Sequence, residues 1–279
     1  MARPCGRALA NPGRSAYLDL MHGMALPDPV SARDRLRQGL TVAAALAQAT
    51  LPSLPAIFGW GVQIGERANA EGPIPVTPAG YAFSIWGPIF AWCIAYAVWQ
   101  ALPKNADDAL ARRAGWPFAG AMAGNALWAA IYQAGAPTWL TAIVLAANAA
   151  LAIAALARVS DYPLPLRRDR AWLFAAPLGL LAGWVSVAAF VNIATALRAA
   201  GADALSDPAS ALSAGMVAAA TATALAVIAR LGPFATYPLA VIWALVAVLA
   251  RNGGNATGLT AAVAALLVAA LAVRSFRRS

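Results

Sequence analysis

Apolar stretches at 41–60, 83–102, 115–134, 140–156, 171–197, 211–228, 234–249 and 259–273 fill most of the chain beyond residue 38. A helix needs about 20 apolar residues to cross a bilayer's hydrocarbon core, with a range of roughly 17–25. Most of these stretches reach that length, and the fourth, seventh and eighth sit at its short end. They are apolar all round, with no polar face at helical period, so their surroundings are lipid and not water. Short connections rich in Gly, Pro, Asp and Arg separate them. The pattern predicts an all-α fold: a polytopic membrane bundle of about eight transmembrane helices. It divides the chain into a basic tail (1–37), five spans (38–200), and three additional spans with a short basic C-terminus (201–279). The tail has no apolar core, so it is not read as a cleaved signal peptide. Its scattered Pro, Gly and Arg predict disorder, and Met21 and Met24 stand as alternative start positions.

Composition agrees with a membrane protein. The chain is 61% hydrophobic and 11% charged, against about 25% charged in soluble domains. The net charge of +9 changes meaning once the basic residues are placed. Arg3, Arg7, Arg14, Arg33, Arg35, Arg37, Lys104, Arg112, Arg113, Arg158, Arg167, Arg168, Arg170, Arg230, Arg274, Arg277 and Arg278 fall on one side of an eight-span topology. Only Arg67, Arg198 and Arg251 fall on the other. The positive-inside rule then places both termini in the cytoplasm, and anionic inner-leaflet lipid is the expected electrostatic partner. Nucleic acid is not an expected partner. Lys104 is the one lysine, and with the heavy use of alanine this suggests a GC-rich bacterial genome and a bacterial cytoplasmic (inner) membrane.

Several chemistries lack their residues. Cys5 and Cys93 form no disulfide framework, and the one histidine, His22, lies in the tail. No ligand cluster for a metal and no Gly-rich phosphate loop is present, so no metal, cofactor or nucleotide is expected. The acids fall in the tail or the loops, leaving no ionisable carboxylate at depth for proton coupling.

Tryptophan and amide side chains remain. Trp60, Trp116, Trp139 and Trp172 sit at span ends, where indole anchors in the interface. Trp92, Trp128, Trp184 and Trp243 lie nearer mid-span. In the third span, Asn125 and Trp128 are three residues apart, with Tyr132 following on the same side. In the fifth, Trp184, Ala188 and Asn192 step by fours. Both spans also carry paired glycines, Gly120 with Gly124 and Gly179 with Gly183, which allow close helix approach. Two readings stay open here. The amides join helices by hydrogen bonds of about 0.6 kcal/mol, or they orient a flat ligand stacked on the indoles of a shared pocket. Before the second span, Pro73, Pro75 and Pro78 stiffen an extended approach, and Pro88 predicts a kink early in the helix. Such a segment reads as a stiff lid over an aromatic cavity.

Thr77-Pro-Ala-Gly-Tyr-Ala-Phe-Ser-Ile-Trp-Gly-Pro88, Asn125-x-x-Trp128 and Trp184 followed eight residues later by Asn192 together resemble the tryptophan-rich sensory protein (TspO/MBR, or translocator protein) family, in its longer bacterial branch. The resemblance covers roughly residues 40–200, five spans being the family's core number, and leaves out the three spans from 211 to 273. It departs from the family in two places. The first loop lacks the usual Trp and Lys-Pro-Pro, and the fifth span has Leu180 four residues before its Trp, with proline at Pro177. The resemblance implies a five-helix bundle holding a flat, largely apolar ligand, tetrapyrrole- or sterol-like, under the first loop, without enzyme activity. By the same implication Tyr81, Phe83 and Trp86 form the lid and mouth, Trp128 and Trp184 the stacking faces, and Asn125 and Asn192 the polar contacts. It also implies pairing into a homodimer, for which Gly120 and Gly124 offer a contact; packing of the third span against the fifth within the chain is an alternative use for those glycines. Two other functions stay open: a passive or sodium-coupled carrier of small solutes, and a membrane enzyme modifying tetrapyrroles. For the latter only Tyr81, Ser84, Cys93 and Tyr132 offer reactive groups.

Overall fold

The computed structural model describes residues 30–72, 74–232 and 234–278. The expected disordered tail up to residue 29, with Cys5, His22, Met21 and Met24, and the loop proline Pro73 lie outside the described residues. Among the described residues every regular element is helical. The main helices are α1 (Ala32–Thr50), α2 (Ile64–Glu71), α3 (Trp86–Ala101), α4 (Ala109–Gln133), α5 (Thr138–Ser160), α6 (Ala176–Ala199), α7 (Ala211–Leu231), α8 (Thr236–Asn252) and α9 (Ala256–Phe276). From α3 to α9 the helices coincide with the expected spans; α1 overlaps the first expected span (41–60) only over 41–50, and short helical turns continue it to Phe58. Six membrane-length apolar helices contain α1, α3, α5, α6, α7 and α9, while α8 is apolar but shorter, at 17 residues. The remaining one, α4, is 25 residues long; Asn125, Gln133, Arg112, Arg113 and its glycines lower its hydropathy. It is packed between α1 and α5, and its Asn125 and Gln133 are buried in protein.

The first helix begins earlier than its apolar run. Ser31 caps it in a reciprocal box with Asp34: Asp34 N–H donates to Ser31 Oγ (3.1 Å), and Ser31 N–H to Asp34 Oδ2 (3.1 Å). Residues 32–37, placed with the tail by their charges, are therefore the first turns of α1. Arg33 and Arg35 face outward, but Arg37 is fully buried. Its guanidinium donates to Gln100 Oε1 of α3 (3.1 Å) and to the Ala106 carbonyl (3.0 Å), with Asp34 at 3.8 Å. Asp34 also pairs with Arg112 of α4 (2.8 Å). A charge taken out of water is tolerated only when paired and hydrogen-bonded, so this network fixes α1 against α3 and α4.

Two prolines act differently from a simple helix break. Pro88 falls in the first turn of α3, directly after a 3-10 helix over Gly80–Ile85. It lies just past the change from 3-10 to α. Pro177 has no N–H to give the Leu173 carbonyl, and the chain widens into a π-helical turn over Ala171–Ala175 just ahead of it.

The centre of the bundle is α6. Within its apolar window 72% of residues are buried, against at most 44% in the other membrane-length helices. It packs against α5, α8, α7 and α3. The contact with α8 brings the two backbones close. A methyl at Gly179 would fall on Thr236 Oγ1, and one at Gly183 would fall on the Tyr237 carbonyl and 2.9 Å from Ala240 Cβ. Thr236 Oγ1 adds a hydrogen bond to the Ala176 carbonyl (2.8 Å). Gly120 and Gly124 turn instead to α5, toward Leu151 and Asn148 of the same chain. The glycine pair of the third span thus packs against the fourth span rather than the fifth.

These contacts separate the two glycine pairs by experiment. Gly183→Ala is expected to destabilise the bundle by about 1–3 kcal/mol, because backbone must move. Gly120→Ala places its methyl 3.5 Å from Leu151 Cδ1, an ordinary contact, and is expected to be near neutral. Thermal unfolding in detergent, followed by circular dichroism, measures both; an equal loss for the two variants would contradict the ranking of these contacts.

Candidate functional site

The segment between α1 and α3 folds back over one end of the bundle in two differently anchored parts. The first part carries α2, whose Arg67 and Glu71 are one turn apart and form an ion pair (2.8 Å). Arg67 lies over the Tyr132 ring, 4.2 Å from its centroid, and donates to the Tyr132 and Ala136 carbonyls at the end of α4. Tyr132 Oη donates to Glu71 Oε2 (2.9 Å), and Arg198 of α6 donates to the Glu71 carbonyl. Sequence reasoning did not assign Arg67, Glu71 or Arg198 to the site. The signal available was the i,i+4 pairing of opposite charges in a segment flanked by glycines.

The second part, residues 74–85, rests on α8. The Ala79 N–H donates to the Ala247 carbonyl (3.1 Å). Asn252 Nδ2 donates to the Pro75 carbonyl (2.8 Å), Arg251 to the Pro78 carbonyl (3.5 Å), and Trp243 Nε1 to the Ala82 carbonyl (2.9 Å). Tyr81 meets the Trp243 ring edge-on, 5.5 Å between centroids. A proline-rich segment has few N–H groups and many free carbonyls; α8 supplies donors for three of them and accepts the one N–H, from Ala79. The last three spans were left without a role by the sequence; one of them carries half of the loop.

The seven residues expected in the site separate into two groups and an outlier. Phe83 and Trp86 both meet Trp184 edge-on, at 5.7 and 6.0 Å, and Trp86 stacks on Phe90 at 5.2 Å. Such pairs contribute about 0.5–1.5 kcal/mol each beyond burial. Trp184 is 2% exposed, and its indole N–H is buried without a partner. Tyr81 and Phe83 remain 49% and 43% exposed, at the outer edge of this cluster. The second group joins α4 to α6: Trp128 Nε1 donates to Asn192 Oδ1 (3.1 Å), and Trp128 stacks on Tyr132 at 5.1 Å. Since Trp184 and Asn192 are two turns apart on α6, the groups lie about 12 Å from each other. Asn125 is the outlier. It is buried against α1, donating to Gln48 Oε1 (3.3 Å), and does not join the rings. The bonds made by both amides are those of helix joining.

Two of the most prominent hollows lie elsewhere. One of about 690 Å³ is lined by Arg167, Arg168, Asp169, Trp172 and Leu173, and one of about 650 Å³ runs along the end of α9 from Leu266 to Arg278. None of the seven residues lines either one. The aromatic rings are packed on each other.

These features define an integral membrane helix bundle with an aromatic cluster beneath a pinned loop. A family model described as TSPO-like protein matches residues 39–275. The chain belongs to that family, as its resemblance to the tryptophan-rich sensory proteins implied. The match runs through all eight expected spans and so takes in the three C-terminal helices beyond the motifs. No curated protein matches the chain, and no solved structure does.

The double anchoring of the loop is testable without a ligand. Arg67→Ala removes the ion pair with Glu71, the cover on Tyr132 and two carbonyl contacts, where hydrogen bonds to a charged group are worth about 1.5–3 kcal/mol each. It is expected to speed protease cleavage within 59–72 while circular dichroism shows the helices intact. Cleavage at the parent rate would show that Arg67 does not hold α2 down.

Proposed function

We propose that this protein is a ligand-binding, sensory-type member of the TSPO-like family, and that its ligand is flat and largely apolar, tetrapyrrole- or sterol-like. The observation that carries the reading is the Trp184 indole N–H, buried and unpartnered at the meeting point of the Phe83 and Trp86 rings. A buried donor without a partner is costly. A planar molecule bearing a carboxylate, carbonyl or hydroxyl oxygen would satisfy it while its ring faces the indoles. Phe83, half exposed, is the ring that swings aside, so the ligand arrives laterally, from the lipid side of the cluster. Trp128 and Asn192 act one level away, holding α4 to α6 beneath the α2 part of the loop. Binding, and not catalysis, is the function of this cluster, because Phe83, Trp86 and Trp184 bring no acid, base or nucleophile. The protein resides in a bacterial inner membrane with both termini in the cytoplasm.

Titration of the purified protein with protoporphyrin, heme and a sterol panel, read by tryptophan fluorescence, tests the reading. Trp184→Phe removes the N–H and is expected to weaken binding by roughly tenfold, the equivalent of one hydrogen bond of about 1.4 kcal/mol. Asn192→Ala, which frees the Trp128 N–H, is expected to weaken it less. If both variants bind as tightly as the parent, the cluster is not the site. A C-terminal reporter active only in the cytoplasm checks the orientation.

A further inference from the structure

We infer that the ligand site is not confined to the first five spans: α8 forms one of its walls, with Trp243 as a ligand-contacting residue and Arg251 and Asn252 as positioning residues. The inference rests on the binding reading above and extends it to a part of the chain outside its motifs. Trp184 and Trp243 flank one helix crossing. Gly183, next to Trp184, lets α6 approach Ala240 of α8 so closely that a methyl would stand 2.9 Å from Ala240 Cβ. Trp243 lies one turn beyond Ala240. Residues 81–83 bridge the two indoles, with Tyr81 edge-on to Trp243 and Phe83 edge-on to Trp184. A planar molecule that displaces Phe83 from Trp184 therefore meets Trp243 and Tyr81 next. Trp243 is 38% exposed and its N–H is already committed to the Ala82 carbonyl. It thus offers its ring and not a polar contact, while Trp184 offers the donor.

The same helix fixes where the mouth stands. The Ala79–Ala247, Pro75–Asn252 and Pro78–Arg251 contacts hold the proline-rich segment to α8, and α8 is held to α6 by the glycine contact and by Thr236. Tyr81 and Phe83 are consequently positioned from α8, through a route that involves none of the first five spans except α6. The ligand class that fits is a rigid, multi-ring apolar molecule wide enough to lie across two indoles, with an acceptor oxygen at its inner edge.

The test uses the full chain in lipid nanodiscs and two probes, protoporphyrin and a sterol bearing a diazirine. Photolabelling with the sterol, mapped by peptide mass spectrometry, is expected to mark 236–252 as well as 80–101 and 176–199. Trp243→Ala is expected to weaken protoporphyrin binding roughly tenfold. Trp243→Phe, which keeps a ring and guards against loss of folding, is expected to fall between parent and alanine variant. Asn252→Ala is expected to raise the dissociation rate with little change in association, a split that general destabilisation would not give. Labelling confined to the first five spans, with Trp243→Ala binding within about twofold of the parent while Trp184→Phe is weakened, would overturn the inference and leave the binding reading standing. A parent protein that binds neither probe would overturn both.

Discussion

The arrangement depends on backbone lying against backbone where α6 meets α8. In a bilayer there is no hydrophobic gain from burying one apolar helix against another, because lipid tails are equally apolar. Association has to come from close packing and from hydrogen bonds, and two missing side chains supply the first. At Gly179 and Gly183 the space a methyl would fill is occupied by Thr236, Tyr237 and Ala240. Thr236 supplies the second through the Ala176 carbonyl. With α8 fixed at this distance, the carbonyls of the proline-rich segment come within reach of donors on its outer turns. The position of the aromatic cluster thus follows from two glycines buried in the centre of the bundle.

Polar groups within the bundle obey a related constraint. Asn125 with Gln48, Trp128 with Asn192, and Arg37 with Gln100 each join two helices by a bond that lipid could not replace. They share the work of helix association with the glycine contacts. Trp184 departs from this pattern, as its N–H has no such bond, and the buried hydroxyls of Thr41 and Tyr96 share that condition.

Much of this was legible in the order of residues. Apolar length placed α3 to α9 close to their observed bounds, and the Trp and Asn motifs contained the two side chains, Trp128 and Asn192, that link α4 to α6. Three things were hidden. The start of α1 was obscured because Arg33, Arg35 and Arg37 lower the apolar signal, although the Ser31–Asp34 box was visible. Asn125 was grouped with Trp128 by a spacing of three, yet three residues leave about 60° between side chains, enough for one to face α1 and the other α6. The role of α8 was invisible because its contacts with the loop are mostly to backbone carbonyls, and those carry no mark of residue type.

The buried guanidinium of Arg37 has a consequence for how the chain is assembled. Apart from Asp34, which is in the same helix, its partners are Gln100 and the carbonyl of Ala106. Neither exists until some 70 residues after Arg37 has been synthesised. Until then, α1 has no acceptor from these later segments for that cation. The interhelical part of the network that buries this cation therefore forms only after α3 and the turn that follows it have been made.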